Sequence, residues 1–124
     1  MVVSVRDTLA FNGLLFALPA SLAFKASKSS DIAIRVMGEG AITPLSISAM
    51  RVLASVYLQL GFLVTFLAYK LPLQAAVVLR AVSYLRAFTL VGDAHILAKS
   101  KRVSKIPAVF NAALLLINAM VLRV

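Results

Sequence analysis

The chain has 124 residues, of which 62% are hydrophobic and only 14% are charged, with a formal net charge of +9. A soluble domain of this size carries about a quarter charged residues. The chain has no cysteine, which excludes disulfides, iron–sulfur ligation and thiol catalysis. We therefore expect a single membrane domain over residues 1–124, with no room for an appended enzyme module.

Four apolar stretches fill the chain, at residues 7–25, 45–69, 73–98 and 106–122. At about 1.5 Å of rise per residue, each reaches or passes the ~30 Å hydrocarbon core of a bilayer. Backbone amides in lipid must be satisfied within a segment or a closed barrel, and long apolar runs without two-residue alternation select helices. The predicted fold is all-α, a polytopic membrane protein with four transmembrane helices in an antiparallel bundle.

Proline and short polar residues mark the helix ends. Pro19 lies inside the first stretch, where the lost amide hydrogen bond predicts a kink. Thr43 and Pro44 are typical of an N-cap followed by proline at the first helical position. Residues 70–72 predict a tight hairpin between the second and third helices. The long first connection predicts a short interfacial helix near residues 32–37, capped by Ser30 or Asp31 and stopped by Gly38.

Basic residues are concentrated in the first and third connections. These connections hold Lys25, Lys28, Arg35, Lys99, Lys101, Arg102 and Lys105, whereas the opposite side holds Arg6, Lys70 and Arg123. The positive-inside rule then places both termini on the side opposite the basic connections. Because these charges flank apolar helices without a basic groove, the pattern excludes nucleic acid as a partner. It favours anionic lipid, with cardiolipin the expected choice, at Lys99, Lys101, Arg102 and Lys105.

Polar side chains form one stripe on each of the two central helices. The second helix carries Ser48, Arg51, Ser55 and Gln59, and the third carries Arg80, Ser83, Arg86, Thr89 and Asp93. The hairpin makes these helices antiparallel neighbours, so we expect the two stripes to face each other. Arg51 then lies level with Asp93, and we predict a buried Arg51–Asp93 pair. The stripes either specify helix packing through buried hydrogen bonds or line a pocket for a head group, a quinone or a proton path.

Arg80 is close enough to the hairpin to extend to the interface, but Arg86 lies near the middle of its helix and needs a partner. This chain has no second deep carboxylate for Arg86. His95 is the only histidine and points away from Asp93 on the helix. We expect a structural role for it at the interface, with proton transfer or metal ligation as the alternatives.

Three asparagines and a glycine indicate close helix packing. Asn111 and Asn118 are seven residues apart on the last helix, and Asn12 precedes Gly13 on the first. Amides at such positions are more typical of interhelical hydrogen bonds than of ligands. The chain has no nucleophile–base motif, phosphate-binding loop or zinc motif. We therefore expect no enzymatic activity, no cofactor and no metal.

A family resemblance rests on Pro19 late in the first helix and on the segment AMRVLASVYLQLG at residues 49–61. With a basic turn before the last helix, this layout resembles the small four-helix DoxX-like membrane proteins along nearly the whole chain. Some of that family are associated with quinone-linked respiratory membranes. The resemblance implies a four-helix bundle and supplies no catalytic residues.

Two functions fit these features. The first is a non-catalytic accessory subunit of a larger membrane complex, with other membrane subunits as partners. Our specific expectation is a respiratory or ATP-synthase assembly of the mitochondrial inner membrane, with a bacterial or thylakoid membrane as alternatives. The second is a self-sufficient DoxX-like protein that binds quinone or lipid, or a small transporter.

Overall fold

The computed structural model describes residues 4–38 and 42–123, and these are almost entirely helical. The helices are α1 (Val5–Leu15), α2 (Ala17–Ala26), α3 (Ser30–Met37), α4 (Pro44–Lys70), α5 (Ala75–Lys99) and α6 (Ile106–Arg123), with a 3-10 turn at Pro72–Gln74 before α5. Within the described ranges, four helical segments are long and apolar enough to cross a membrane: Val5–Ala26, Pro44–Lys70, Pro72–Lys99 and Ile106–Arg123. The four predicted helices are confirmed, with ends within two residues of those expected.

The helix caps follow the local sequence. Thr43 caps α4, since its side chain accepts from the Ser46 amide while the Ser46 hydroxyl accepts from the Thr43 amide. The Ser104 hydroxyl accepts from the amide of Ile106 at the start of α6. The predicted short helix is confirmed as α3, although its N-cap is Ser29 and makes no side-chain bond; its place at a membrane interface stays a prediction. Gly38 ends α3 with a φ of 92°, a conformation that glycine adopts without a steric penalty.

The first membrane-length segment is interrupted at Phe16, between α1 and α2. Pro19 has no amide hydrogen, so the carbonyl of Leu15 receives no bond from it. Next to this gap, the Phe16 amide donates to the carbonyl of Gly13 rather than to that of Asn12. The irregularity expected from Pro19 is therefore present, one turn before the proline. The interruption also divides the packing, because α1 contacts α4, α5 and α6, whereas α2 packs mainly on α4 and α3.

Two glycines allow α1 and α4 to approach closely. A Cβ added to Gly61 would lie 2.8 Å from the carbonyl oxygen of Gly13, and one added to Gly13 would lie 2.9 Å from the amide nitrogen of Thr65. Small residues at a helix crossing are typical of membrane bundles, where close backbone contact replaces the hydrophobic effect as the driving force. The packing role expected for Gly13 is confirmed.

The core lies around α1 and consists of residues from all four long segments. Leu9 and Leu79 are fully buried there, beside Val64 and Val82. By contrast, α4 and α5 contact each other little, although a tight turn joins them, because α1 packs against both. The expectation that the polar stripes of α4 and α5 face each other is therefore wrong.

The two basic connections lie in contact. The amide of Ser104, in the connection before α6, donates to the carbonyl oxygen of Arg35 on α3 at 2.8 Å. A Cβ on Gly38 would also lie 3.3 Å from the Cβ of Ser100. The first and third connections thus form one continuous basic surface of the molecule.

Candidate ligand-binding cavity

Arg86 is the most deeply buried charged residue in the described part of the chain, with 4% of its surface exposed. It lies near the middle of α5 and points toward α1 and α6. Its Nη1 donates to Oδ1 of Asn111 at 3.3 Å, and its Nη2 donates to the backbone oxygen of Asn12 at 3.4 Å. Both bonds are long, and both acceptors are neutral.

Aromatic rings cover the guanidinium group. The Arg86 Cζ lies 4.3 Å from the centre of the Phe16 ring and 5.6 Å from that of Phe110. The Phe16 ring in turn stacks on Tyr57 of α4, with centroids 6.3 Å apart. Since Phe16 occupies the break between α1 and α2, the helix interruption is what places its ring on the cation. Such cation–π contacts stabilise a desolvated guanidinium by about 2 kcal/mol or more.

Asn111 connects Arg86 to the carboxylate of Asp93. Its Nδ2 donates to Oδ2 of Asp93 at 3.0 Å, while its Oδ1 accepts from Arg86. The Nδ2 also donates to the carbonyl of Pro107, which holds the amide in one orientation. Arg86 and Asp93 therefore share one amide but form no direct ion pair with each other.

A partly enclosed cavity of about 580 Å³ opens beside these groups. Its walls come from α2 and α4 on one side and from α5 and α6 on the other, and most of the lining is apolar, including Leu53, Leu60 and Ile96. The polar lining consists of Ser21, Tyr57, Arg86, Thr89, Asp93 and Asn111 on the long helices, with Lys25 and Ser104 toward the basic connections. This volume is within the range of small-molecule sites.

The cavity wall contains one unsatisfied donor. Among the described residues, the Nε of Arg86 is the buried side-chain polar atom without a hydrogen-bond partner. An unpaired buried donor costs about 1–3 kcal/mol, and more when it is charged. Arg86 also forms no ion pair with any described carboxylate. The site is therefore a buried cation with neutral partners, next to an apolar space.

The predicted Arg51–Asp93 pair is wrong. Arg51 is exposed on the outer side of α4, and Asp93, which is half-buried, is bound by Asn111. The three other members of the α4 stripe, Ser48, Ser55 and Gln59, are also exposed, and Gln59 donates to Ser55 on the same helix. The predicted pair came from matching residues at equal distances from the α4–α5 turn, which requires the two helices to pack on each other. In the structure, α1 packs against both of them instead.

The remaining predicted residues are not part of the cavity. Ser83 is half-buried and accepts from Asn118 of α6, and Arg80 and His95 are exposed on α5. The four basic residues predicted to contact anionic lipid, Lys99, Lys101, Arg102 and Lys105, are exposed. Their contact with anionic lipid stays a prediction. No group of three or more metal-binding side chains occurs among the residues described.

A second buried polar cluster lies at the contact of the first and last segments. The side-chain amides of Asn12 and Asn118 bond reciprocally, at 2.8 and 3.1 Å, and are 1% and 0% exposed. Asn118 also donates to the hydroxyl of Ser83, and Asn12 to the carbonyl of Thr8. All these amide groups are thus occupied within the protein, as expected for packing residues.

Sequence reasoning identified Arg86 and Asp93 but missed Asn111, Phe16 and Tyr57 as their neighbours. One signal for Asn111 was present. Asp93 and Asn111 lie at similar distances from the connection at residues 100–105, so depth matching across that turn would have paired them. No comparable signal existed for Phe16, because its position depends on where the helix breaks.

No protein-family model matches the chain, and neither a curated protein nor a solved structure matches it. The resemblance to DoxX-like proteins therefore rests on the residues quoted for it.

Proposed function

We propose that this is a multi-pass membrane protein that binds a small amphiphilic molecule in the cavity beside Arg86. The observation that carries the proposal is the buried guanidinium with neutral partners at the edge of an apolar space. An anionic or carbonyl oxygen placed there would add the charge-assisted hydrogen bond that the cation lacks. The apolar walls would accept a ring or a hydrocarbon chain.

Membrane insertion is supported by the outward faces of the helices. Large apolar side chains are exposed along the spans, among them Phe62 (77%), Phe88 (79%) and Leu116 (64%). Soluble monomers rarely expose contiguous apolar surface of this extent. Lipid chains would cover these faces, and the basic connections would then meet anionic head groups at one surface.

Two ligand classes fit the cavity, a quinone and a membrane lipid. A quinone offers carbonyl oxygens to Arg86 and a flat ring to Phe16 and Tyr57. A lipid offers an anionic oxygen and a chain for the walls near Leu53 and Leu60. Both ligand classes agree with the second function expected from the sequence, that of a DoxX-like protein that binds quinone or lipid.

Replacing Arg86 tests the proposal. We expect the protein purified in mild detergent to retain an amphiphile that organic extraction and mass spectrometry identify. Arg86→Leu should retain about a tenth or less of the amount that the wild type retains, since a charge-assisted bond contributes about 1.5–3 kcal/mol. Arg80→Leu is the matched control, because Arg80 lies on the same helix but is exposed, and it should retain the ligand.

A second variant separates lost binding from lost folding. Thr89→Phe places a ring in the cavity wall and leaves Arg86 unchanged. It should also release the ligand, while the helical circular dichroism of both variants stays that of the wild type. The proposal would be contradicted if Arg86→Leu retained as much ligand as the wild type. It would also be contradicted if no amphiphile could be extracted from the wild type.

The accessory-subunit function remains a second candidate, supported by two exposed arginines on membrane-length helices. Arg51 of α4 and Arg80 of α5 lie on outer faces, where a neighbouring subunit would reduce their desolvation cost. Arg86 is not evidence for this function, because its hydrogen-bond partners, Asn111 and Asn12, are within the chain. A respiratory or ATP-synthase assembly of the mitochondrial inner membrane is the specific form of this candidate. Native purification followed by mass spectrometry of co-purifying subunits tests it.

A further inference from the structure

The outer face of α4 is polar where it should be most apolar. The helix has 27 residues, about 40 Å, and its centre is near Tyr57. Ser55 and Gln59 each lie two residues from that centre, on the side opposite the buried face, and both are exposed. If α4 spans a bilayer, these two side chains face the middle of the hydrocarbon, where no water is available.

The Gln59 amide is only partly satisfied. Its Nε2 donates to the Ser55 hydroxyl at 3.1 Å, which leaves its Oε1 and a second N–H without partners among the described residues. Lipid chains cannot supply these partners. At the corresponding depth, the outward face of α6 carries Leu116, and that of α5 carries Phe88 and the ring of Tyr84. The exposed amide at this depth is the one on α4.

We propose that this face of α4 binds the same face of a second copy of the chain, with Gln59 paired to Gln59 across a twofold axis. Copies inserted in the same orientation place Gln59 at equal depth. An amide carries both a donor and an acceptor, so it is complementary to itself. Side-chain amides that bond across helices stabilise association within membranes. The exposed Val52 and Phe62, above and below, supply apolar contacts in the same stripe.

The positive charge on this face is compatible with a second copy. Arg51 lies at the edge of the stripe, about 10 Å from the start of α4. Its long side chain can extend to the head groups at that end of the helix rather than to the Arg51 of the other copy. The self-association does not depend on the cavity or on its ligand.

Cysteine cross-linking tests the proposal directly, because the natural chain has no cysteine. In vesicles that contain the purified full chain, Val52→Cys should form disulfide-linked dimers on oxidation. Leu116→Cys is the matched control, equally exposed but on α6, and it should form few. Adding Gln59→Leu to Val52→Cys should weaken association about five- to thirtyfold, and Gln59→Asn should restore most of it.

Dilution with lipid distinguishes a stable dimer from chance collisions. Linking through Val52→Cys should persist as the lipid-to-protein ratio rises, and the Leu116→Cys signal should fall. Equal linking at the two positions, or linking at Val52→Cys that is unchanged by Gln59→Leu, would overturn the proposal. A chain that stays monomeric with both reporters would also overturn it.

Discussion

At the scale of single residues, buried polar side chains determine how the helices meet. Asn12, Asn118 and Ser83 join three segments through one set of hydrogen bonds. Arg86, Asn111 and Asp93 join α5 to α6 through another. In an apolar surrounding each unpaired amide would cost free energy, so these contacts favour one arrangement of the bundle.

Replacing Asn118 should therefore destabilise the fold. Asn118→Leu leaves Asn12 without its side-chain partner, and we expect the free energy of unfolding to fall by about 0.6–2 kcal/mol. Because the two amides bond to each other, the double variant with Asn12→Leu should cost less than the sum of the single variants. Unfolding in mixed detergent micelles measures all three. Additive costs would show that the two amides are not coupled.

The sequence was most informative about which residues need partners and least informative about which partners they find. Arg86 was recognised as a charge too deep to be left unpaired, and the amide of Asn111 was expected to bond between helices. What could not be read was that α1 packs against both α4 and α5. That arrangement depends on the backbone contact between Gly13 and Gly61, which no periodicity reveals.

At the scale of helices, the close contact of α1 with α4 predicts that a small added side chain at this crossing lowers the free energy of unfolding. Gly61→Ala would place a methyl group 2.8 Å from the Gly13 carbonyl oxygen. The helices must then separate, at a cost of about 1–3 kcal/mol in the free energy of unfolding. Gly92→Ala is the control, since a Cβ there meets nothing within 4 Å. It should be neutral or stabilising by up to about 1 kcal/mol, because alanine favours the helix.

Thermal unfolding in detergent compares the two alanine variants. If Gly61→Ala is as stable as Gly92→Ala, α1 and α4 are not in close contact at this crossing.

The helix boundaries themselves were predictable, because prolines and short polar residues mark them. The break was predictable only in kind, since Pro19 indicates an irregular turn but not that Phe16 would be the residue turned toward Arg86.

At the scale of the whole molecule, two contacts show which helix ends lie together. The Arg6 guanidinium lies 5.7 Å from the centre of the Tyr69 ring, so the start of α1 lies beside the end of α4. The basic connections touch each other through Ser104 and Arg35. That both termini face the side of a membrane opposite the basic connections stays a prediction.

Labelling of single cysteines tests that orientation. We expect Lys101→Cys to react with a membrane-impermeant reagent from one side of the membrane only. Arg6→Cys and Lys70→Cys should react from the other side, because the positive-inside bias acts through short loops close to the spans. Reaction of Lys101→Cys and Arg6→Cys from the same side would require an even number of crossings between them, whereas the four-span arrangement has three there, and so would exclude four spans.

The bond between Asn12 and Asn118 also has a consequence for biosynthesis. The two residues are separated by 106 positions, so the side-chain amide of Asn12 cannot bond to Asn118 until the last helix has been synthesised. At translation rates of about 5–20 residues per second, that interval is on the order of 5–20 s. During it Asn12 is inserted without its final partner, and the insertion machinery or another polar helix must shield it. Ribosome-bound chains that end before α6 should therefore remain associated with the insertion site, whereas chains that include α6 should leave it.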